Sequence, residues 1–309
     1  MKVMTMFYGK NVTRVRVVLA GVLAAAIVSF AAPAPAIAQD DPNPGALTFT
    51  GGLDFPTIYF FRGIRQETDP KLTMWPYGDL GIALFSGDGG LKSVGVNVGV
   101  WNSLHTGSSG SDEETGGNGH AHYEEDFYTT LNMGFGGGIT VGATYMALTS
   151  PNLRFNTVKE FQLKVSKTHM LAPYAFLAWE LTDDGQADAG SHKGSYLELG
   201  VAPSWPLKAN GPTLAVPVKL GLGLSNYYEA PTGDNFDGPS ENNAFGFFDI
   251  GGLVTVPLTG VASKFGSWNI HGGVDVLFLG HGTKYFNADS DGEREGNKVI
   301  ALFGIGVTY

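Results

Sequence analysis

The chain has no cysteine among its 309 residues. A disulfide scaffold, thiol chemistry and cysteine-ligated metal are thereby excluded. Charge is also scarce, at 16% of residues. After the N-terminus no apolar run approaches the roughly 20 residues a membrane-spanning helix needs. Helical periodicity of useful length is missing too. The catalytic signatures G-x-S-x-G and H-E-x-x-H do not occur. The glycine run from Gly134 to Gly138 opens no helix, so it reads as a tight turn rather than a phosphate cradle. His105, His169, His271 and His281 share no spacing with serine and an acid that singles out a catalytic trio. An enzyme is not expected, and no cofactor is implied.

What is abundant is glycine, 45 residues, and aromatic side chains, 12%. Mean hydropathy is +0.02, high for a secreted chain with so few long apolar runs. The apolar content must therefore be dispersed in short segments. The first 38 residues read as an export signal. Lys2, Lys10, Arg14 and Arg16 form the positive region, Val17 to Ala32 the apolar region, and Ala36-Ile37-Ala38 a small-residue cleavage site before Gln39. Residues 39–45 are expected to form a flexible tail and residues 46–309 a single domain. Loss of the signal removes four basic and no acidic residues. The mature chain then carries 15 basic against 29 acidic residues, a balance of −14. Nucleic acid is an unsuitable partner for such a surface.

Alternation with period two runs through most of residues 46–309. At the C-terminus Val299, Ala301, Phe303, Ile305, Val307 and Tyr309 fall on one face, and Lys298, Ile300, Leu302, Gly304, Gly306 and Thr308 on the other. Successive strand side chains point to opposite sides, so the first set suits lipid and the second a lumen. The pattern predicts strands near 46–61, 72–86, 92–105, 122–136, 139–150, 155–167, 171–182, 194–205, 213–228, 241–257, 266–280 and 297–309. Connections alternate between long and short, with Ser150-Pro151-Asn152 the exception. Short turns at one rim and long loops at the other are the asymmetry of an outer-membrane barrel. Aromatic residues gather at both sets of strand ends, including Tyr59, Phe60, Trp75, Tyr77, Trp101, Tyr123, Trp179, Tyr227 and Tyr228 at the loop ends, as in the girdles of such barrels. The fold class expected is all-β: a closed up-and-down antiparallel transmembrane β-barrel of about twelve strands.

Two segments carry resemblances. The last strand, with Phe303, Ile305, Val307 and terminal Tyr309 in phase, resembles the C-terminal signal read by the barrel-assembly machinery. The segment around Tyr59, Phe61, Arg62, Gly63 and Gln66 is similar to the opening strand of TorF-type porins, where an aromatic residue precedes an Arg-Gly pair and a polar turn. This resemblance implies an outer-membrane barrel of porin kind, lying among outer-membrane lipids after export.

The lumen-facing phase contains Glu160, Lys164, Glu180, Glu198, Lys219, Asp249, His271, Asp275 and Lys298. These residues are expected to line a pore for passive diffusion of ions or small polar solutes, with a weak preference for cations. The alternatives are a structural or surface-binding barrel with a self-plugged lumen, and a secreted soluble β-sandwich that binds carbohydrate. Asp112, Glu113, Glu114, His120, His122, Glu124 and Glu125 form an acidic loop among glycine and serine, read as solvated rather than metal-binding. Asn287-Ala288-Asp289-Ser290-Asp291-Gly292 has the opening spacing of a calcium loop. Its closing position falls on Lys298, so no metal site is assigned.

Overall fold

The computed structural model describes residues 45–110, 120–183, 185–190, 192–231, 238–289 and 291–309. The export signal, residues 39–44 of the tail, and Asp112, Glu113 and Glu114 lie outside the described residues. Among the described residues twelve antiparallel strands form the wall. They are β1 (Leu47–Pro56), β2 (Thr73–Ser86), β3 (Leu91–His105), β4 (His122–Phe135), β5 (Ile139–Thr149) and β6 (Val158–Lys167). They continue with β7 (Tyr174–Glu180), β8 (Ser195–Val201, prolonged by Ser204–Pro206), β9 (Thr213–Ala215 and Val218–Ser225), β10 (Phe245–Pro257), β11 (Ser267–Leu279) and β12 (Asn297–Thr308). The break in β9 falls at Val216-Pro217, where proline cannot donate to the ladder.

Each strand pairs with its sequence neighbours, and β1 pairs with β12 from Thr50↔Thr308 to Pro56↔Leu302. The sheet is therefore closed, with no free edge. Phe49 and Tyr309 exchange two backbone hydrogen bonds beyond the last ladder pair, at 2.6 and 2.7 Å. A stacked two-sheet sandwich would leave edges and would not join first strand to last.

The two faces of the wall differ in chemistry. On β12, Val299 is 65% and Phe303 55% exposed, while Ile300 and Leu302 between them are buried. Leu80, Leu131, Leu199, Ile250 and Val274 are likewise turned out on other strands. A continuous apolar band around a closed sheet is a surface for acyl chains. Among the described residues no helix is long and apolar enough to cross a membrane; the wall crosses with strands. Since the wall is one layer thick, a wall residue shut off from the outside faces the lumen.

Two features differ from the sequence-based expectation. β6 begins at Val158 rather than near residue 155, so the connection after β5 runs over 150–157 and the short exception among the long loops disappears. The first strand ends at Pro56 instead of continuing to Phe61. Beyond Pro56 the chain leaves the wall, and this departure shapes the interior.

Candidate functional site: a hairpin across the lumen

The loop between β1 and β2 folds into the barrel. Within it Phe60–Phe61 pairs with Ile64–Arg65 as a small hairpin. Its two-residue turn is Arg62-Gly63, with φ of 49° and 84°. Positive φ at both central residues is the signature of a type I′ turn, which matches the twist of a hairpin. Glycine adopts this at no cost, whereas a side-chain-bearing residue such as Arg62 does so against its preference. Three consecutive aromatics at 59–61 cannot all face lipid in a period-two strand. Inside the barrel Tyr59, Phe60 and Phe61 are all buried.

The hairpin is fastened to several sides of the lumen. The Arg62 guanidinium donates to both Glu160 carboxylate oxygens on β6, at 2.7 and 2.8 Å, and to the Tyr227 hydroxyl at 2.5 Å. β6 stands five strands from β1, nearly opposite in a ring of twelve, so this contact crosses the barrel. Tyr228 Oη donates to the Arg62 carbonyl at 2.8 Å. From the β11–β12 loop, the Asn287 amide donates to the Gly63 carbonyl and accepts from the Arg65 N–H, each at 2.7 Å. Asp289 in the same loop forms an ion pair with Arg65. Tyr123 Oη donates to the Gln66 side chain at 2.8 Å. Beyond Gln66, Glu67 Oε1 accepts from the Ser109 N–H at 2.9 Å, and Glu67 Oε2 lies 3.2 Å from His105 Nδ1.

Burial and ionisation follow from these contacts. Desolvation works against the Arg62 charge, and the Glu160 carboxylate more than offsets it, holding the guanidinium protonated. Burial alone would raise the Glu67 carboxyl; hydrogen bonds with His105 and Ser109 overcome this and leave it below its ordinary value. Asp188, in the β7–β8 loop, behaves oppositely: burial pushes it up to about 6 despite N–H donors from Glu229 and Gly190.

The inward phase below the hairpin is charged. Lys219 Nζ lies 2.6 Å from Asp249. Glu198 accepts from Tyr174 and Tyr196, at 2.6 and 2.7 Å, and Lys164 sits 4.6 Å from the centre of the Tyr174 ring. His271 Nε2 meets Asp54 at 2.9 Å. They meet over Gly304 of β12, where a Cβ would collide with both side chains. Glu180 accepts from the Ala187 and Gly194 N–H groups, Asp275 is buried beside Gly251, and Lys298 pairs with Glu295 at the loop rim. Asp54, Asp79, Glu124 and Asp126 were not expected among the lumen residues, yet all four are buried in the wall. Glu124 in particular belongs to β4 and not to a solvated loop. Their alternation with outward leucines and aromatics was the signal that could have found them.

The loop-end aromatics require a correction. Trp75, Trp101, Tyr123, Tyr227 and Tyr228 are buried inside with the hairpin rather than arranged as a lipid girdle. Tyr59 packs edge-on to Trp75 at 5.3 Å. Of the expected set Trp179 does face out, stacked with Phe161, and Phe248 beside Phe278 adds outward rings near that end. At the turn end, where Phe49, Phe85, Phe135, Tyr174, Trp205, Phe265, Trp268 and Tyr309 are expected, Phe49, Phe85, Trp205, Phe265 and Tyr309 face out and Tyr174 turns in to Glu198. In the 287–292 loop, Asn287 and Asp289 are engaged by the hairpin. Among the described residues no group of three His, Asp or Glu is arranged to hold a metal.

No family model matches the chain, and no curated protein matches it. Solved structures with similar architecture include the NanC porin, 8% identical, with TM-score 0.38 over 85% of this chain and 99% of that one. An outer-membrane channel from Pseudomonas putida F1 is 9% identical, with TM-score 0.43 over 88% and 99%. The transport unit of the autotransporter AIDA-I from Escherichia coli is 12% identical, with TM-score 0.40 over 85% and 89%. At these values nothing of their function is carried over.

Proposed function

We propose that the chain is an outer-membrane channel of porin kind that prefers cations and is closed at rest by the hairpin at Arg62-Gly63. The carrying observation is the inward wall itself. Among the described residues the buried carboxylates of the wall strands, Asp54, Asp79, Glu124, Asp126, Glu160, Glu180, Asp249 and Asp275, outnumber the buried basic residues, of which Lys219 stands on the wall and Arg62 and Arg65 on the hairpin. Rings of acidic side chains favour cations in a pore. Both Asp275 oxygens lack a protein hydrogen bond. A buried carboxylate in that condition is satisfied by water or an ion, which a hydrated lumen supplies.

On this reading the first 38 residues direct export and are removed, the last strand engages the barrel-assembly machinery, and the long loops face outward. The Arg-Gly turn gives the resemblance to TorF-type porins a physical content, because the pair forms the tip of the obstructing hairpin. Bilayer recordings of refolded protein test the proposal. The wild type should conduct weakly, with a reversal potential in a KCl gradient on the cation side, and Arg62→Ala should conduct more. The hairpin also favours a second reading, a barrel with a permanently blocked lumen. Absence of conductance in both proteins would select it.

A further inference from the structure

The surroundings of the Arg62 guanidinium form a site in their own right. Besides its paired hydrogen bonds to Glu160, the group lies 4.7 Å from the Phe61 ring centre, 5.3 Å from Phe176, 4.7 Å from Tyr196 and 5.5 Å from Tyr227. A cation among aromatic faces with one carboxylate in its plane is the arrangement that recognises organic cations. Of these residues only Phe61 belongs to the hairpin. Glu160, Phe176 and Tyr196 stand on β6, β7 and β8, and Tyr227 follows β9.

The cage walls also support one another without Arg62. Tyr196 packs against Phe176 and Tyr227 at 6.2 and 5.0 Å, and its hydroxyl is fixed on Glu198. Gln162 donates to Glu160 at 2.7 Å. These contacts, made among wall residues and Tyr227, hold Glu160, Phe176, Tyr196 and Tyr227 in place independently of the hairpin.

We infer that this cage is a binding site for solutes bearing a guanidinium group, and that Arg62 is its tethered resident. The inference deepens the channel reading and rests on it for the meaning of the site, though the cage stands on its own contacts. A planar fork of N–H donors matches both Glu160 oxygens at once, which a spherical ammonium cannot do. Small metal ions find one carboxylate and a phenol where they need a shell of oxygens. A tethered group competes at an effective concentration in the millimolar range or above. Free ligand therefore meets a site that is already taken, and its entry requires the hairpin tip to leave.

The test uses the full mature barrel, refolded in detergent and verified by its compact mobility on unheated gels, with methylguanidinium as probe. Arg62→Ala should bind methylguanidinium at least about tenfold more tightly than wild type, and more tightly than methylammonium. Adding Glu160→Gln to Arg62→Ala should abolish that binding. A folded Arg62→Ala barrel that binds no better than wild type overturns the inference, as does binding indifferent to Glu160→Gln. If Arg62→Ala does not refold alone, recovery of the compact form with methylguanidinium but not with potassium supports the site, and no recovery overturns it. Because binding is read in micelles, its failure is distinct from a failure of conductance. Binding without conductance keeps the cage and sinks the channel; conductance without binding does the reverse.

Discussion

Arg62 and Gly63 show how much a two-residue turn decides. A Cβ at Gly63 would lie 2.9 Å from the Phe247 ring, and the backbone there has φ of 84°. Gly63→Ala therefore combines left-handed strain with a ring clash and should weaken the seated hairpin by about 1–3 kcal/mol. Gly252 on β10 has open space around its Cβ position, so Gly252→Ala serves as the neutral comparison. Protease access to the 57–72 loop in folded barrels reads the difference, and equal protection in the two variants would contradict this role for the turn. In the sequence, Arg62 stands out only through a resemblance. Its role was not legible because its partner Glu160 is 98 residues away, a contact no local period encodes. The Tyr59-Phe60-Phe61 run, which breaks alternation, was the available hint that the strand ends early.

At the scale of the element, the hairpin and its neighbouring loops are held by polar contacts with opposite responses to pH. Glu67 lies below its ordinary value of 4.5 in the folded protein. Its contribution is present above that value and is lost as pH falls through the depressed folded value. Asp188, in the loop beside Glu229, sits at about 6 against an ordinary 3.8. The folded state then binds more protons than the unfolded one between those values, so this loop gains stability as pH falls through about 6. The seated loops should accordingly be firmest in mildly acidic solution and loosen as pH falls below the ordinary carboxylate range. Near-ultraviolet circular dichroism of the buried Trp75 and Trp101 follows this, and Glu67→Gln should lose the steep acid limb while keeping the rise near pH 6. An unchanged acid limb would remove Glu67 as a strut. The wall strands were readable because lipid enforces one period on each of them. The loops were not, since Asn287, Tyr228 and Glu67 act through contacts distant in sequence.

At the scale of the whole molecule, everything depends on which side of the sheet is apolar. The register β1–β12 closes the wall, and the outward phase of β12 presents Val299, Phe303 and Val307 while Ile300 and Leu302 turn in. The C-terminal alternation in the sequence carried this assignment almost residue by residue, because a single-layer wall leaves each side chain only two environments. Phe303→Lys puts the matter to a decisive measurement. On a lipid-facing position near mid-membrane a lysine costs about 2–4 kcal/mol, falling to about 0–1 near the interfaces. Phe303 lies in the middle of its strand, with Tyr309 near the turn rim. Urea-driven unfolding from lipid vesicles should therefore show Phe303→Lys losing most of that amount, and Tyr309→Lys losing little. On a closed barrel standing in water the same exposed phenylalanine would be replaced by lysine at little cost, and folding would need no lipid at all. Equal stability of Phe303→Lys and wild type in vesicles would thus remove the acyl chains from the outer face, and with them the transmembrane reading of the barrel.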